Sequence, residues 1–405
     1  MGESFQPSVS TGTAAYSIGF SATVGVGGMA PHLSLSYEGG GGNGPVGLGW
    51  SFSPGLIQRR ADKGIPRYVD GPNGIDDDHD GDIDDAAELD VFLSPSGEDL
   101  VPFQEGATTN YFSRVEGGFV RYRRVDDHWE ATAPNGRRML YGVTPSARIA
   151  DPADPTHVFQ WLLEREVDTH GNAMEYRYAS FPGPGNLNEK FLSEVRYGPG
   201  GGPWTYFHFV SFEYEDRADW FEDCRAGFVV RSGKRLSRVN MGTQGLLLPG
   251  HAQGDFNHDG VEDNLNRRYV LGYQADTFAS ILHSVTLYGA DGDTAYPSST
   301  YTYTAASTAQ SISALGSVIG SENEPPSTFE NGFVDLVDLN GDGLPDLLRT
   351  ASGGGGHTGY INQGQRGSGG SAILWSTGQQ VLPGTDGLAW STDLGASDTH
   401  LADID

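Results

Sequence analysis

The sequence predicts an all-β chain, and three observations carry that expectation. Glycine and proline number 59 and 22 among 405 residues, a composition that interrupts helices and populates turns. Aromatic residues make up 11%, enough to bury surface against the entropy of ordering, so the chain folds. Apolar residues alternate with polar ones along short runs, and no long 3.6-residue period bounded by caps occurs.

The elements follow in order. Leu33, Leu35 and Tyr37 alternate with serines, the signature of a half-buried strand. A glycine cluster over 39–44 leads into Pro45 and on to Trp50 and Phe52. Alternation recurs over 119–125, 137–141, 158–167 and 174–178. The last two runs flank Asp168, Gly171 and Asn172, residues suited to a hairpin turn. Further strands are predicted over 206–214, 228–230, 234–240, 268–273, 284–288 and 300–304. Residues 305–330 turn small and polar and then acidic around Pro325 and Pro326, which reads as a linker between a β domain over 1–304 and a new pattern over 331–405. That pattern stops at Leu401–Asp405 in mid-run, so the stretch is expected to be truncated.

Asp and Glu number 53 against 25 Lys and Arg. This balance argues against nucleic acid, whose phosphates need a basic footprint, and against an anionic membrane surface. One cysteine, Cys224, leaves no intrachain disulfide. No basic and apolar leader opens the sequence, and no apolar run is long enough to span a membrane. These features stay compatible with a bacterial protein that leaves the cell without disulfides.

Three acidic segments share the template Asp-x-(Asp/Asn)-x-Asp-Gly-x-x-Asp. In the first, Asp76, Asp78, Asp80 and Asp84 supply side chains and Asp82 a main-chain carbonyl. In the second these are Asp255, Asn257, Asp259 and Asp263, with Val261. In the third they are Asp338, Asn340, Asp342 and Asp346, with Leu344. Asp403 and Asp405 look like the start of a fourth. Ca²⁺ takes six to eight oxygens at roughly 2.3–2.6 Å, and alternate positions of a tight loop converge on one point, with Gly at the sharp turn. An EF-hand would close with Glu at the twelfth position, but Ala87, Asn266 and Arg349 stand there, so the loops close on the ninth-position Asp between strands. The bland alternative is a metal-free Asp/Gly turn. Zn²⁺ lacks spaced Cys or His.

Other signals are weak. Gly39, Gly41 and Gly44 match a dinucleotide fingerprint only formally, since Pro45 follows where a helix should begin. His79 and His258 read as solvated loop residues, and Cys224 as a buried or incidental thiol. No nucleophile elbow, P-loop or His-Glu-x-x-His is present.

About the first 300 residues resemble the N-terminal domain of the Salmonella virulence plasmid B protein (SpvB) family, which also begins the B components of insecticidal Tc toxin complexes. The resemblance rests on Leu33–Tyr37, the block Gly42-Asn-Gly-Pro-Val-Gly-Leu-Gly-Trp50-Ser, Ile57–Arg60, Gly64–Tyr68, Trp129–Gly136 and Trp161–Asn172, the last also similar to RHS repeats. Residues 333–348 look like an integrin-type FG-GAP/VCBS repeat, whose calcium loop lies between propeller strands. The resemblance implies a β-rich shell around a toxic cargo, with a propeller as docking site or gate. Its partners would be a C-terminal toxin/RHS region of the same or another chain and further toxin-complex subunits. The toxic domain, an ADP-ribosyltransferase in some relatives, would lie beyond this chain, and no family catalytic residue carries over. The first two acidic loops depart from the family pattern as insertions, at 71–88 and 249–266. The resulting expectation is a non-catalytic, calcium-binding delivery scaffold of a secreted toxin, not an enzyme. The alternatives are a surface adhesion protein with propeller repeats and an unrecognised two-carboxylate glycosidase.

Overall fold

The computed structural model describes residues 2–7, 14–39, 41–71, 89–106, 108–181, 183, 185–199, 206–245, 248–274, 279–303, 334–337, 339–340, 344–350, 357–366 and 373–381. The chain divides into two compact units, Met1–Thr302 and Tyr303–Asp405. Strands dominate the described residues of both, as the alternation predicts.

The centre of the first unit is a closed eight-stranded antiparallel barrel. Its strands are Leu56–Arg59, Phe92–Leu93, Asp99–Glu105, Thr108–Ser113, Arg121–Val125, His128–Thr132, Arg138–Tyr141 and Val158–Val167. The ring closes because Leu56–Arg59 pairs with Val158–Val167, placing Gln58 opposite Gln160. Aromatic rings fill the space inside. Trp129 and Trp161 are fully buried, and Phe92 lies 4.9 Å from Trp129, ring centre to ring centre. Arg59, 1% exposed, is held among them. Its guanidinium bonds Asp70 and Asp90, donates to the Val158 carbonyl at 2.8 Å, and faces the rings of Tyr68 and Phe92. Burial alone would raise the Asp70 pKa, but hydrogen bonds and charge from Arg59 and Arg124 outweigh it and hold the carboxyl low.

From Val158–Val167 the sheet continues as a meander through Ala173–Ala179, Phe191–Pro199, Tyr206–Asp223, Val230–Gln244, Asp263–Tyr273 and Leu282–Tyr288. The predicted hairpin turn is present. Asp168 accepts from the backbone N–H groups of His170 and Asn172, and Gly171 takes φ +85°. Short strands predicted over 228–230 and 234–240 are one 15-residue strand, Val230–Gln244. Its partner, Tyr206–Asp223, has 18 residues, and the pair absorbs its length through irregularities at 213–214 and 216–221.

A second sheet, Gly2–Pro7, Ala14–Phe20, Leu33–Glu38 and Trp50–Ser51, packs Phe20 against Tyr269, with ring centres 4.9 Å apart. The glycine-rich block before Trp50 forms a small hairpin, not a nucleotide loop. Gly47 sits there at φ +98°, where a Cβ would strike the Ser280 carbonyl. Arg217 and Asp219 lock this hairpin down: Arg217 donates to the Gly44 carbonyl at 2.7 Å, and Asp219 accepts from Ser280.

In the second unit, Val334–Val337, Asp346–Arg349, His357–Tyr360 and Gln379–Val381 form one four-stranded antiparallel sheet. Val334, Leu347 and Tyr360 make its small core with Trp375. A propeller of several blades is not seen among the described residues. The linker predicted over 305–330 and the repeat start at Asp403 lie outside them.

Candidate functional site

Of the three acidic loops, the second is described throughout. Asp76, Asp78, Asp80, Asp82 and Asp84 lie outside the described residues, as do Asp338 and Asp342 of the third loop. Asn340, Leu344 and Asp346 remain for description there.

The second loop leaves the sheet at Gly254 and rejoins it at Asp263, and these two residues pair. Between them the polar side chains turn inward. Asp255 accepts from the backbone N–H groups of Asp259 at 2.9 Å and Gly260 at 3.0 Å. Asn257 accepts from the Asp259 N–H at 3.2 Å, and Asp259 from the Val261 N–H at 3.0 Å. Gly260 takes φ +85°, which permits the sharp turn the template requires. His258 is exposed and also left-handed, at φ +59°.

The loop is tied to the meander beneath it. Ser211 donates to the Phe256 carbonyl at 2.5 Å, and Gln244 donates to Asp259 at 2.6 Å. Arg196 reaches Asp259 at 3.5 Å. Arg196 also donates to Glu194 at 2.7 Å, and Glu194 is 5% exposed, with its second oxygen lacking a partner. Burial raises the Glu194 pKa, opposed by the hydrogen bond and charge of Arg196. Sequence reasoning missed Glu194 and Arg196. The signal available was their period-2 spacing, which places both on one face of Phe191–Pro199.

Asp263 is the unusual member. It is 0% exposed, and neither carboxylate oxygen has a hydrogen-bond partner. The backbone amides of Phe256 and Asn257 lie toward it and favour its charge without closing to hydrogen-bond geometry; the Phe256 N–H goes instead to the Gly254 carbonyl. Burial, then the charges of Asp259 and Asp255, push its pKa up to about 7. Asp346, the corresponding residue of the third loop, is equally buried. Its two oxygens accept from the backbone N–H groups of Leu339 at 2.9 Å and Asn362 at 2.7 Å.

Among the described residues, no three His, Cys, Asp or Glu side chains converge tightly enough to hold a metal by themselves. The reason is local, because Asp255 and Asp259 spend their oxygens on backbone and Gln244 donors. Cys224 is exposed, not buried. A groove of about 400 Å³ on the barrel carries Arg121, Arg123 and Arg138, but Glu105 and Glu130 share it and Arg123 is paired to Glu130 at 3.0 Å.

Residues 8–197 match the family described as Salmonella virulence plasmid 65kDa B protein. The mono(ADP-ribosyl)transferases SpvB of Salmonella typhimurium and Salmonella choleraesuis are each 34% identical over 209 aligned positions, covering 42% of this chain. The chain spans 32% of the length of these relatives. Among solved structures, TcdB2-TccC3 superposes with a TM-score of 0.68 at 26% identity, covering 94% of this chain and 20% of that one. The Photorhabdus luminescens Tc holotoxin pore gives 0.67 at 25% identity, over 96% and 20%. The N-terminal domain of effector protein SpvB from Salmonella typhimurium gives 0.53 at 25% identity, over 67% of this chain and 98% of that domain.

These relatives correct two expectations. The non-catalytic scaffold and the chain that is not an enzyme do not stand against homologues named as mono(ADP-ribosyl)transferases. The motifs sought in the sequence were nucleophile elbows, P-loops and zinc sites. Moving ADP-ribose from NAD⁺, with nicotinamide as the leaving group, requires none of them, so their absence did not bear on that chemistry.

Proposed function

We propose, from the match of residues 8–197 to the SpvB family and the superposition on TcdB2-TccC3, that this chain is a toxin-related region of a bacterial protein that transfers ADP-ribose from NAD⁺ to a host protein. The observation that carries this reading is double coverage: 98% of the SpvB N-terminal domain is matched, and 94% of this chain is matched within TcdB2-TccC3. The partner implied is a toxin-bearing region, on the same polypeptide or on a second subunit, as in the complexes those structures name. The four-stranded sheet of the second unit supports its reading as one blade of a propeller. The protein would act outside the cell that makes it. Among the described residues no helix is long and apolar enough to cross a membrane.

The test is direct. The natural polypeptide carrying this chain, supplied with any partner subunit encoded beside it, is incubated with labelled NAD⁺ and host-cell lysate. Label transferred to a host protein is the expected result. No transfer, under conditions where SpvB of Salmonella typhimurium labels the same lysate, overturns the reading.

A further inference from the structure

We propose that the loop from Asp255 to Asp263 binds one hard divalent cation, calcium foremost, through the side-chain oxygens of Asp255, Asn257, Asp259 and Asp263 and the main-chain carbonyl of Val261. The acidic spacing alone would not carry this. The independent observation is Asp263: 0% exposed, closing the loop, with both oxygens unpartnered. A carboxylate that has left water needs compensation from donors or a cation. No donor supplies it. Of the nearby guanidiniums, Arg196 is committed to Glu194 and Asp259, and Arg268 lies over the Phe256 ring and donates to Asn240.

The surroundings fit a cation and reject an anion or an apolar ligand. Asp255 and Asp259 are close enough to Asp263 to bear on its charge, and Glu194 adds a buried carboxylate beside Asn257. The Asn257 amide nitrogen is drawn to Asp259 at 3.1 Å, so its oxygen, which accepts from the Asp259 N–H at 3.2 Å, is the ligand atom. Every donor in the set is an oxygen, the preference of Ca²⁺ and Mg²⁺ and not of Zn²⁺ or Cu²⁺. To take the ion, Asp255 and Asp259 must turn from the backbone and Gln244 donors they now hold; five protein atoms, with bidentate carboxylates or water, then reach the six to eight oxygens that Ca²⁺ takes, whereas Mg²⁺ demands a smaller, near-ideal octahedron. The ion would bind Asp263, at the first residue of strand Asp263–Tyr273, to a loop already anchored on Ser211, Gln244 and Arg196. Its effect is to fasten the loop across the meander.

Equilibrium dialysis against Ca²⁺, followed by metal analysis, counts ions per chain in the wild type, in Asp263→Asn and in Asp255→Asn. Other acidic loops contribute to the total, so the reading is the difference: each variant is expected to hold one ion fewer. Melting in chelator and in millimolar Ca²⁺ accompanies the count. Asp263→Asn, which keeps the shape of the carboxyl without its charge, should melt in chelator no lower than the wild type and should show a smaller rise with Ca²⁺. Asp255 lies at the exposed edge of the loop, so its replacement keeps the count informative even where Asp263→Asn fails to fold. Equal ion counts in the wild type and the folded variants would overturn the site. This outcome is separate from any result on ADP-ribosyl transfer.

Discussion

Two aspartates hold the same place in two copies of one template, and the fold treats them differently. Asp263 and Asp346 both stand at the ninth position, both begin a strand and both are fully buried. Asp346 receives two backbone N–H groups, from Leu339 inside its own loop and from Asn362 beyond the next strand. Asp263 receives none. The difference lies in what the chain brings past the carboxylate. In the second unit, Asn362 follows directly on strand His357–Tyr360, which pairs with Asp346–Arg349, so its amide reaches Asp346. In the first unit, the flanking strand Val230–Gln244 runs its backbone bonds into the sheet ladder and offers a side chain, Gln244, which goes to Asp259 instead. One aspartate is a hydrogen-bonded staple, and the other is buried without a hydrogen-bond partner.

Asp346→Ala should break the comparison most visibly. It strips the acceptor from two backbone donors in a buried setting, and such losses total about 3 kcal/mol. The amides of Leu339 and Asn362 should lose their protection in hydrogen exchange while the first unit keeps its own. Unchanged exchange at both amides would show that the staple contributes nothing.

Asp263→Asn should move the other way when no divalent cation is present. The substitution removes a buried charge that has no partner, and its amide gains Asp255 and Asp259 as acceptors, so stability in chelator should rise by about 2 kcal/mol. Denaturant unfolding of the first unit measures it. A loss of similar size in chelator would mean that the charge already has a partner and that the contrast with Asp346 is false.

Much of this was legible in the chain. Alternation located most strands, and Asp168, Gly171 and Asn172 located the central hairpin, because both signals are local. Barrel closure was not legible. It depends on Leu56–Arg59 meeting Val158–Val167 across about a hundred residues, and the alternation of neither strand names its partner. The same limit applied to the loops. Spacing found Asp255, Asn257, Asp259 and Asp263, but gave them the rank of Asp338, Asn340, Asp342 and Asp346. What separates Asp263 from Asp346 is the backbone that passes each one, and that is a property of topology. Glu194 and Arg196 were missed because they reach the loop from a strand some sixty residues earlier. The family itself was legible in local blocks such as Gly42–Ser51 and Trp161–Asn172; the non-enzyme expectation failed because no motif sought belongs to ADP-ribosyl transfer.

A half-buried carboxyl, Glu189, sharpens the contrast, with the smallest effect of the three predictions. Glu189 lines a pocket with Phe191, Tyr214 and Phe221 and has no acidic loop around it. Burial, reinforced by the charge of Asp223, pushes its pKa up to about 7, and only the neighbouring Lys190 N–H, at 3.2 Å, opposes the shift. The folded state therefore holds this proton more tightly than the unfolded chain, whose value is near 4.5. The stability it confers is complete below about 4.5, falls as pH rises toward 7, and is gone above that. One pKa unit corresponds to about 1.4 kcal/mol, and partial solvent access lowers the realised effect to on the order of 1 kcal/mol. Glu189→Gln should flatten stability against pH across that window, and the difference from wild type should be the same in Ca²⁺ and in chelator. A calcium-dependent difference at Glu189 would mean that any buried carboxyl on this sheet responds to the ion, and the special standing of Asp263 would be lost. A difference independent of calcium at Glu189, set beside a calcium-dependent one at Asp263, would place the response in the surrounding oxygens of Asp255, Asn257 and Asp259 and not in burial itself.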